Sequence, residues 1–96
     1  MTALEAATRL DHALTKDPAG RYSFMCKKAF VMVKLFGKAD RLRFAARDRL
    51  AFRAEDAWLV IERCDTGAVH RKFSWDQIEC LAAGEAETDN GSLFQG

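Results

Sequence analysis

The side chains best suited to binding chemistry are the basic residues that alternate with apolar ones between Arg41 and Arg53. On a β-strand this alternation would place leucine, phenylalanine and alanine on one face and the arginines on the other. Side chains on one face of a strand repeat about every 6.5–7 Å, which suits guanidinium groups that grip phosphates or carboxylates through paired hydrogen bonds. The predicted binding residues are Lys38, Arg41, Arg43, Arg47, Arg49 and Arg53.

Charge is unevenly distributed along the chain, although the net charge is only +1. Residues 21–53 contain ten basic and two acidic residues, whereas residues 54–96 contain three basic and nine acidic ones. One interpretation is a solvated arginine face that the acidic half of the same chain neutralises. The other is a binding surface, because exposed ion pairs contribute only about 0–1 kcal/mol each and stability alone would not require so many.

Cysteine and histidine residues offer little for catalysis or metal binding. Cys64, His70 and Glu62 would supply a nucleophile, a base and an orienting group. However, His70 alternates with Lys72 on the polar side of a predicted strand, as solvated edge residues do. The cysteines and histidines lack the paired spacing of structural zinc sites, and the glycines form no phosphate loop. We therefore expect no catalytic residue, no metal, no cofactor and no enzymatic activity.

The composition predicts a single small domain. Hydrophobic residues make up 49% of the chain and charged residues 30%, which indicates a globular domain over 1–84 and an acidic, disordered tail over 85–96. Cys26, Cys64 and Cys80 lack CxxC spacing and are expected to be reduced core residues of a cytoplasmic protein. The chain shows no signal peptide, and its apolar run at 29–36 is too short to span a membrane.

Helical patterns dominate the first third of the sequence. Thr2 and Glu5 form a capping-box pattern that opens a predicted helix over residues 2–16. Residues 17–20, Asp-Pro-Ala-Gly, fit either a type I turn or the start of a second helix. Lysines at helical spacing favour that second helix over residues 21–36, whereas the alternation of Val31 and Val33 would also suit a strand at 29–36.

Strand patterns follow. We predict β-structure over 41–53, a buried strand at 57–61, and a hairpin turn at 64–67 that leads into a partner strand. The Ser74-x-x-Gln77 pattern then predicts a short helix that buries Ile78 and Leu81 and ends at Gly84. The expected fold is α+β: two N-terminal helices packed on one face of a small antiparallel β-meander, closed by a short C-terminal helix.

Two hypotheses of function follow from this layout. The favoured one is a non-enzymatic binding or regulatory module whose arginine face contacts the phosphates of a nucleic acid or a nucleoprotein. The alternative is a protein–protein interaction module, such as an inhibitor, an adaptor or a self-associating homodimer, that docks on an acidic protein surface. Neither hypothesis involves a membrane.

Overall fold

The computed structural model describes residues 1–86, which form one α-helix and eight β-strands. Helix α1 spans Ala3–Leu10. The strands are β1 (Leu14–Lys16), β2 (Tyr22–Phe24), β3 (Ala29–Leu35), β4 (Arg41–Ala45), β5 (Leu50–Ala54), β6 (Trp58–Arg63), β7 (Val69–Ser74) and β8 (Ile78–Glu85). The α+β class is confirmed. None of the helices in the described residues is long and apolar enough to cross a membrane.

The strands form two antiparallel sheets that pack face to face. One sheet has the order β1-β2-β5-β6-β7 and the other the order β4-β3-β8. Apolar side chains of both sheets meet in one core, where the rings of Phe44 on β4 and Phe52 on β5 lie 5.9 Å apart. Helix α1 packs against β8 and β5, and it contributes Ala6 and Leu10 to the core.

The predicted N-terminal helix is present but shorter than expected. The Thr2 hydroxyl accepts a hydrogen bond from the Glu5 amide at 3.1 Å, and the Glu5 carboxylate accepts one from the Thr2 amide at 3.0 Å, so the capping box is confirmed. The helix ends at Leu10 because Leu14 is the first residue of β1 and pairs with Phe24 on β2. Residues 14–16, where the apolar pattern predicts the end of the helix, therefore form a strand of the sheet instead.

The second predicted helix, at residues 21–36, is wrong. Residues 17–20 form a turn in which the Gly20 amide donates to the Asp17 carbonyl at 2.9 Å, with Gly20 at φ 87°. This turn joins β1 to β2, and β3 follows. Val31 and Val33 are fully buried while the residues between them point outward, so the alternation of β-branched residues decided the structure.

The predicted C-terminal helix is also wrong. The Ser74 amide donates to the Gln77 side chain at 2.8 Å, but this interaction opens only a single 3₁₀ turn at Trp75–Gln77. Strand β8 follows and pairs with β3, with a register shift opposite Lys34 and Leu35. The shift leaves an extra residue at position 79. Ile78 and Leu81 can therefore both be fully buried three positions apart on one strand, a spacing that resembles a helix.

The tail prediction is only partly covered by the described residues. Glu85 pairs with Ala29, and the Ala86 amide donates to the Lys28 carbonyl at 2.9 Å. The ordered domain thus extends at least two residues beyond the predicted boundary at 84. Residues 87–96 lie outside the described part of the chain, and the expectation of disorder there stays a prediction.

The buried Tyr22 should make stability depend on pH in alkaline solution. Burial first, and then the negative charge of Asp11, raises the pKa of its phenol above the ordinary value of 10.0. The native state then holds the proton more tightly than the unfolded state, so this contribution is complete below about pH 10 and is lost as the pH rises further. Tyr22 is the only tyrosine, so phenolate absorbance in the native protein reports it alone.

We expect the Tyr22→Phe variant to lose this alkaline component. The free energy of unfolding of the natural protein should fall above about pH 10 more steeply than that of the variant. A native-state phenolate titration centred on the ordinary value would contradict the assignment.

Candidate functional site

The predicted arginine face is divided between the two sheets. Residues 41–53 form β4 in one sheet and β5 in the other, joined by a 3₁₀ turn at Ala46–Asp48. Arg49, at the end of that turn, has a left-handed backbone with φ 54°. The alternation was correctly predicted within each strand, since Phe44 and Phe52 are both buried. The prediction that the arginines form a single continuous surface is not correct, because the turn carries the chain from one sheet to the other.

Arg53 forms ion pairs with two acidic residues, one on β6 and one in the connection between β5 and β6. Its guanidinium lies 2.9 Å from the Glu55 carboxylate and 3.6 Å from that of Glu62, which is buried. The Arg53 Nε atom is itself buried and lacks a hydrogen-bond partner within residues 1–86. Acidic residues from the second half of the chain therefore neutralise the charge of Arg53. This residue is not part of the candidate site.

Arg41 and Arg43 remain exposed on β4. They pair with Lys34 and Met32 on the outer face of the three-stranded sheet. Neither arginine forms an ion pair with a residue between 1 and 86. Lys34 differs, because its ammonium lies 2.7 Å from the Glu79 carboxylate. The two β4 guanidinium groups are thus available to an external anion.

The other predicted binding residues lie at turns. Lys38 is in the connection between β3 and β4, and Arg47 is exposed in the 3₁₀ turn. Arg49 lines a shallow concavity together with Phe24 and Cys64. Lys38 is the one of these three that shares a cleft with a second basic residue, Arg71.

The open sides of β4 and β7 form a cleft between the two sheets. Each is the last strand of its sheet and pairs on one side only. Two concavities, of about 330 and 280 Å³, each take lining residues from both strands. Arg43 and Phe44 share one with His70, and Leu42 shares the other with Arg71. We call this cleft the β4–β7 seam; its basic residues are Lys38, Arg43, Arg63, His70 and Arg71.

Positive charge predominates along the β4–β7 seam. Four permanent cations and a histidine face two carboxylates, those of Asp40 and Asp48. One oxygen of the Asp48 carboxylate already accepts a hydrogen bond from the Ala45 amide at 2.8 Å. Arg63 lies 3.6 Å from Asp65, but both side chains are more than half exposed, so that pair contributes little. The seam therefore offers a net positive surface built from both sheets.

Sequence reasoning missed three of the five basic residues of this site. Arg63, His70 and Arg71 lie in the acidic part of the chain and were not among the predicted binding residues. The available signal was the run of three consecutive basic residues at 70–72, on a strand whose one buried residue is Phe73. These residues lie near β4 only because of the order of the strands in the two sheets. The local sequence does not reveal that order.

The residues noted as possible catalysts lie at separate places in the structure. Cys64 and His70 line different concavities, and Glu62 is paired with Arg53. Within the described residues, no group of three or more histidine, cysteine or acidic side chains is placed to hold a metal ion. The expectation that the cysteines are core residues is wrong: Cys26, Cys64 and Cys80 are all exposed, and none forms a disulfide.

Comparisons with known proteins add nothing to this geometry. No protein-family model, curated protein or solved structure matches this chain.

Proposed function

We propose that this protein is a non-enzymatic binding module that contacts nucleic-acid phosphates through the β4–β7 seam. The observation that carries the proposal is that two concavities between β4 and β7 each hold two permanent cations, Arg43 with Arg63 in one and Lys38 with Arg71 in the other. Guanidinium groups hold phosphate oxygens through paired, charge-assisted hydrogen bonds, and Lys38 adds a point charge. A cleft that repeats such groups along its length suits a polymer of phosphates.

The contrast with Arg53 supports a role for the seam beyond solvation. The Arg53 guanidinium has two carboxylate partners, at 2.9 and 3.6 Å, so its charge is neutralised within the domain. Arg43 and Arg71 have no carboxylate within ion-pair distance in residues 1–86. Leaving like charges together costs free energy unless a ligand offsets the repulsion.

Charge reversal in the seam tests the proposal. The Arg43→Glu and Arg71→Glu variants should each weaken binding to a mixed-sequence oligonucleotide by about tenfold or more, and the double variant should abolish it. Each substitution should also reduce the dependence of log affinity on log salt concentration by about one contact. Fluorescence anisotropy at two salt concentrations measures both quantities.

Lys16→Glu is the matched control. Lys16 is exposed on β1, the edge of the five-stranded sheet opposite to β7, and the substitution changes the net charge by the same amount. It should reduce affinity only slightly. Equal losses in the control and the seam variants would show a general charge effect, and lack of binding at low salt would refute the proposal.

An acidic protein partner is the second candidate, and the unpaired edges of β4 and β7 favour it. An extended acidic peptide can add main-chain hydrogen bonds to such an edge while its carboxylates meet the cations. Polyglutamate binding without oligonucleotide binding would establish this alternative. The three exposed thiols fit either module best in a reducing, cytoplasmic compartment.

A further inference from the structure

Two aromatic residues, one half-buried and one exposed, lie one strand in from the β4–β7 seam, each beside a cation of an edge strand. Phe30 lies on β3 with the Arg43 guanidinium carbon 4.5 Å from its ring centroid. Trp58 lies on β6 with the Lys72 ammonium 4.6 Å from its ring. β3 is the neighbour of β4, and β6 is the neighbour of β7. One aromatic–cation pair therefore stands on each side of the seam.

Both rings are placed on outer sheet faces and not in the core. Phe30 alternates with the fully buried Val31 and is only half-buried, and a Cβ on the facing Gly84 would lie 3.6 Å from its ring. That distance is ordinary van der Waals contact, so the ring packs over β8 at Gly84. Trp58 is 39% exposed, whereas the other tryptophan, Trp75, is buried and donates its indole hydrogen to the Glu55 carbonyl.

We infer that the proposed nucleic-acid ligand is single-stranded. Its phosphates would follow the cations of the seam, and its bases would stack outward on the two aromatic sites. An unpaired base can stack on a ring or on the guanidinium plane that covers it. Bases in a duplex are already stacked on each other and cannot reach these surfaces. This inference rests on the proposed function and specifies the class of ligand that the same site takes.

The inference predicts a preference between ligands of equal length. A 12-nucleotide single strand should bind at least tenfold more tightly than a 12-base-pair duplex at the same salt concentration. Phe30→Leu and Trp58→Leu should each weaken single-strand binding by about fivefold or more, because a stacked base contributes on this scale. Neither substitution should change the weaker binding of the duplex. Fluorescence anisotropy with both labelled ligands measures these effects.

Two further variants act as controls. Trp58→Phe keeps an aromatic surface and should retain most of the affinity that Trp58→Leu loses. Phe36→Leu removes an aromatic ring that is 60% exposed but belongs to neither aromatic–cation pair, and it should leave binding unchanged. Circular dichroism of each variant confirms that the fold is retained before affinities are compared.

The outcomes separate the inference from the proposed function. Equal affinity for single strand and duplex, together with normal binding by the Phe30→Leu and Trp58→Leu variants, would overturn single-strand recognition and leave phosphate binding by the seam intact. Lack of binding to either ligand would overturn both. Quenching of Trp58 fluorescence by the single strand alone is the direct signature that we expect.

Discussion

The Phe52→Ala variant is expected to lose about 3–5 kcal/mol of unfolding free energy, which is the usual cost of removing a buried phenylalanine ring. Phe52 is the largest of the fully buried side chains in the described residues. Its ring makes edge contacts with Phe24 at 5.6 Å and with Phe44 at 5.9 Å. Because Phe44 belongs to the other sheet, the substitution opens a cavity where the two sheets meet.

A loss of this size is a large part of the 5–15 kcal/mol by which domains are commonly stable, so we expect the variant to be partly unfolded at 37 °C. Urea denaturation followed by circular dichroism measures the change. Phe36→Ala is the control, since Phe36 is 60% exposed and its removal should change the unfolding free energy by less than about 0.5 kcal/mol. Similar losses in both variants would contradict the proposed core.

The Leu10→Ala variant should lose about 2–5 kcal/mol, because α1 contributes this fully buried side chain to the core. The helix also bonds to the sheet directly: the Arg9 guanidinium donates to the Leu81 carbonyl on β8 at 3.1 Å. β8 pairs with β3 on its other side, so the helix covers a sheet edge that would otherwise be open.

Leu4→Ala provides the comparison within the same helix. Leu4 is 78% exposed, so its truncation removes few contacts, and alanine favours helix at least as well as leucine. Thermal denaturation should therefore show a large decrease in Tm for Leu10→Ala and almost none for Leu4→Ala. If both variants unfolded at the temperature of the natural protein, α1 would not be an integral part of the domain.

Two patterns that depend on neighbouring residues were predicted correctly. The capping box of Thr2 and Glu5 needs only one turn of helix, and it is present. The alternation around Phe44 and Phe52 likewise placed these rings in the core. In each case the interaction that decides the structure lies within a few residues along the chain.

The structure of segments that pair with distant strands was not predicted. Lysines at helical spacing suggested a helix over 21–36, but pairing of β3 with both β4 and β8 overrode that local preference. The bulge near Glu79 placed Ile78 and Leu81 on one face of a strand at a spacing typical of a helix. Nothing within these segments distinguishes the two structures.

The candidate site was predictable only in part for the same reason. Lys38 and Arg43 were among the predicted residues, but Arg53 was included although Glu55 and Glu62 bind it. Arg63 and Arg71 join the site only through the approach of β7 to β4. A cleft between two sheet edges is a property of topology, which one-dimensional charge patterns do not encode.

The pairing of β3 with β8 also constrains how the protein is made. Ala29 pairs with Glu85, so the central strand of the smaller sheet lacks one neighbour until nearly all of the described chain has left the ribosome. Until then Val31 and Val33 have no complete core in which to bury. We expect stalled or prematurely terminated chains to stay unfolded and to be bound by chaperones, and release of the segment 78–85 to trigger folding.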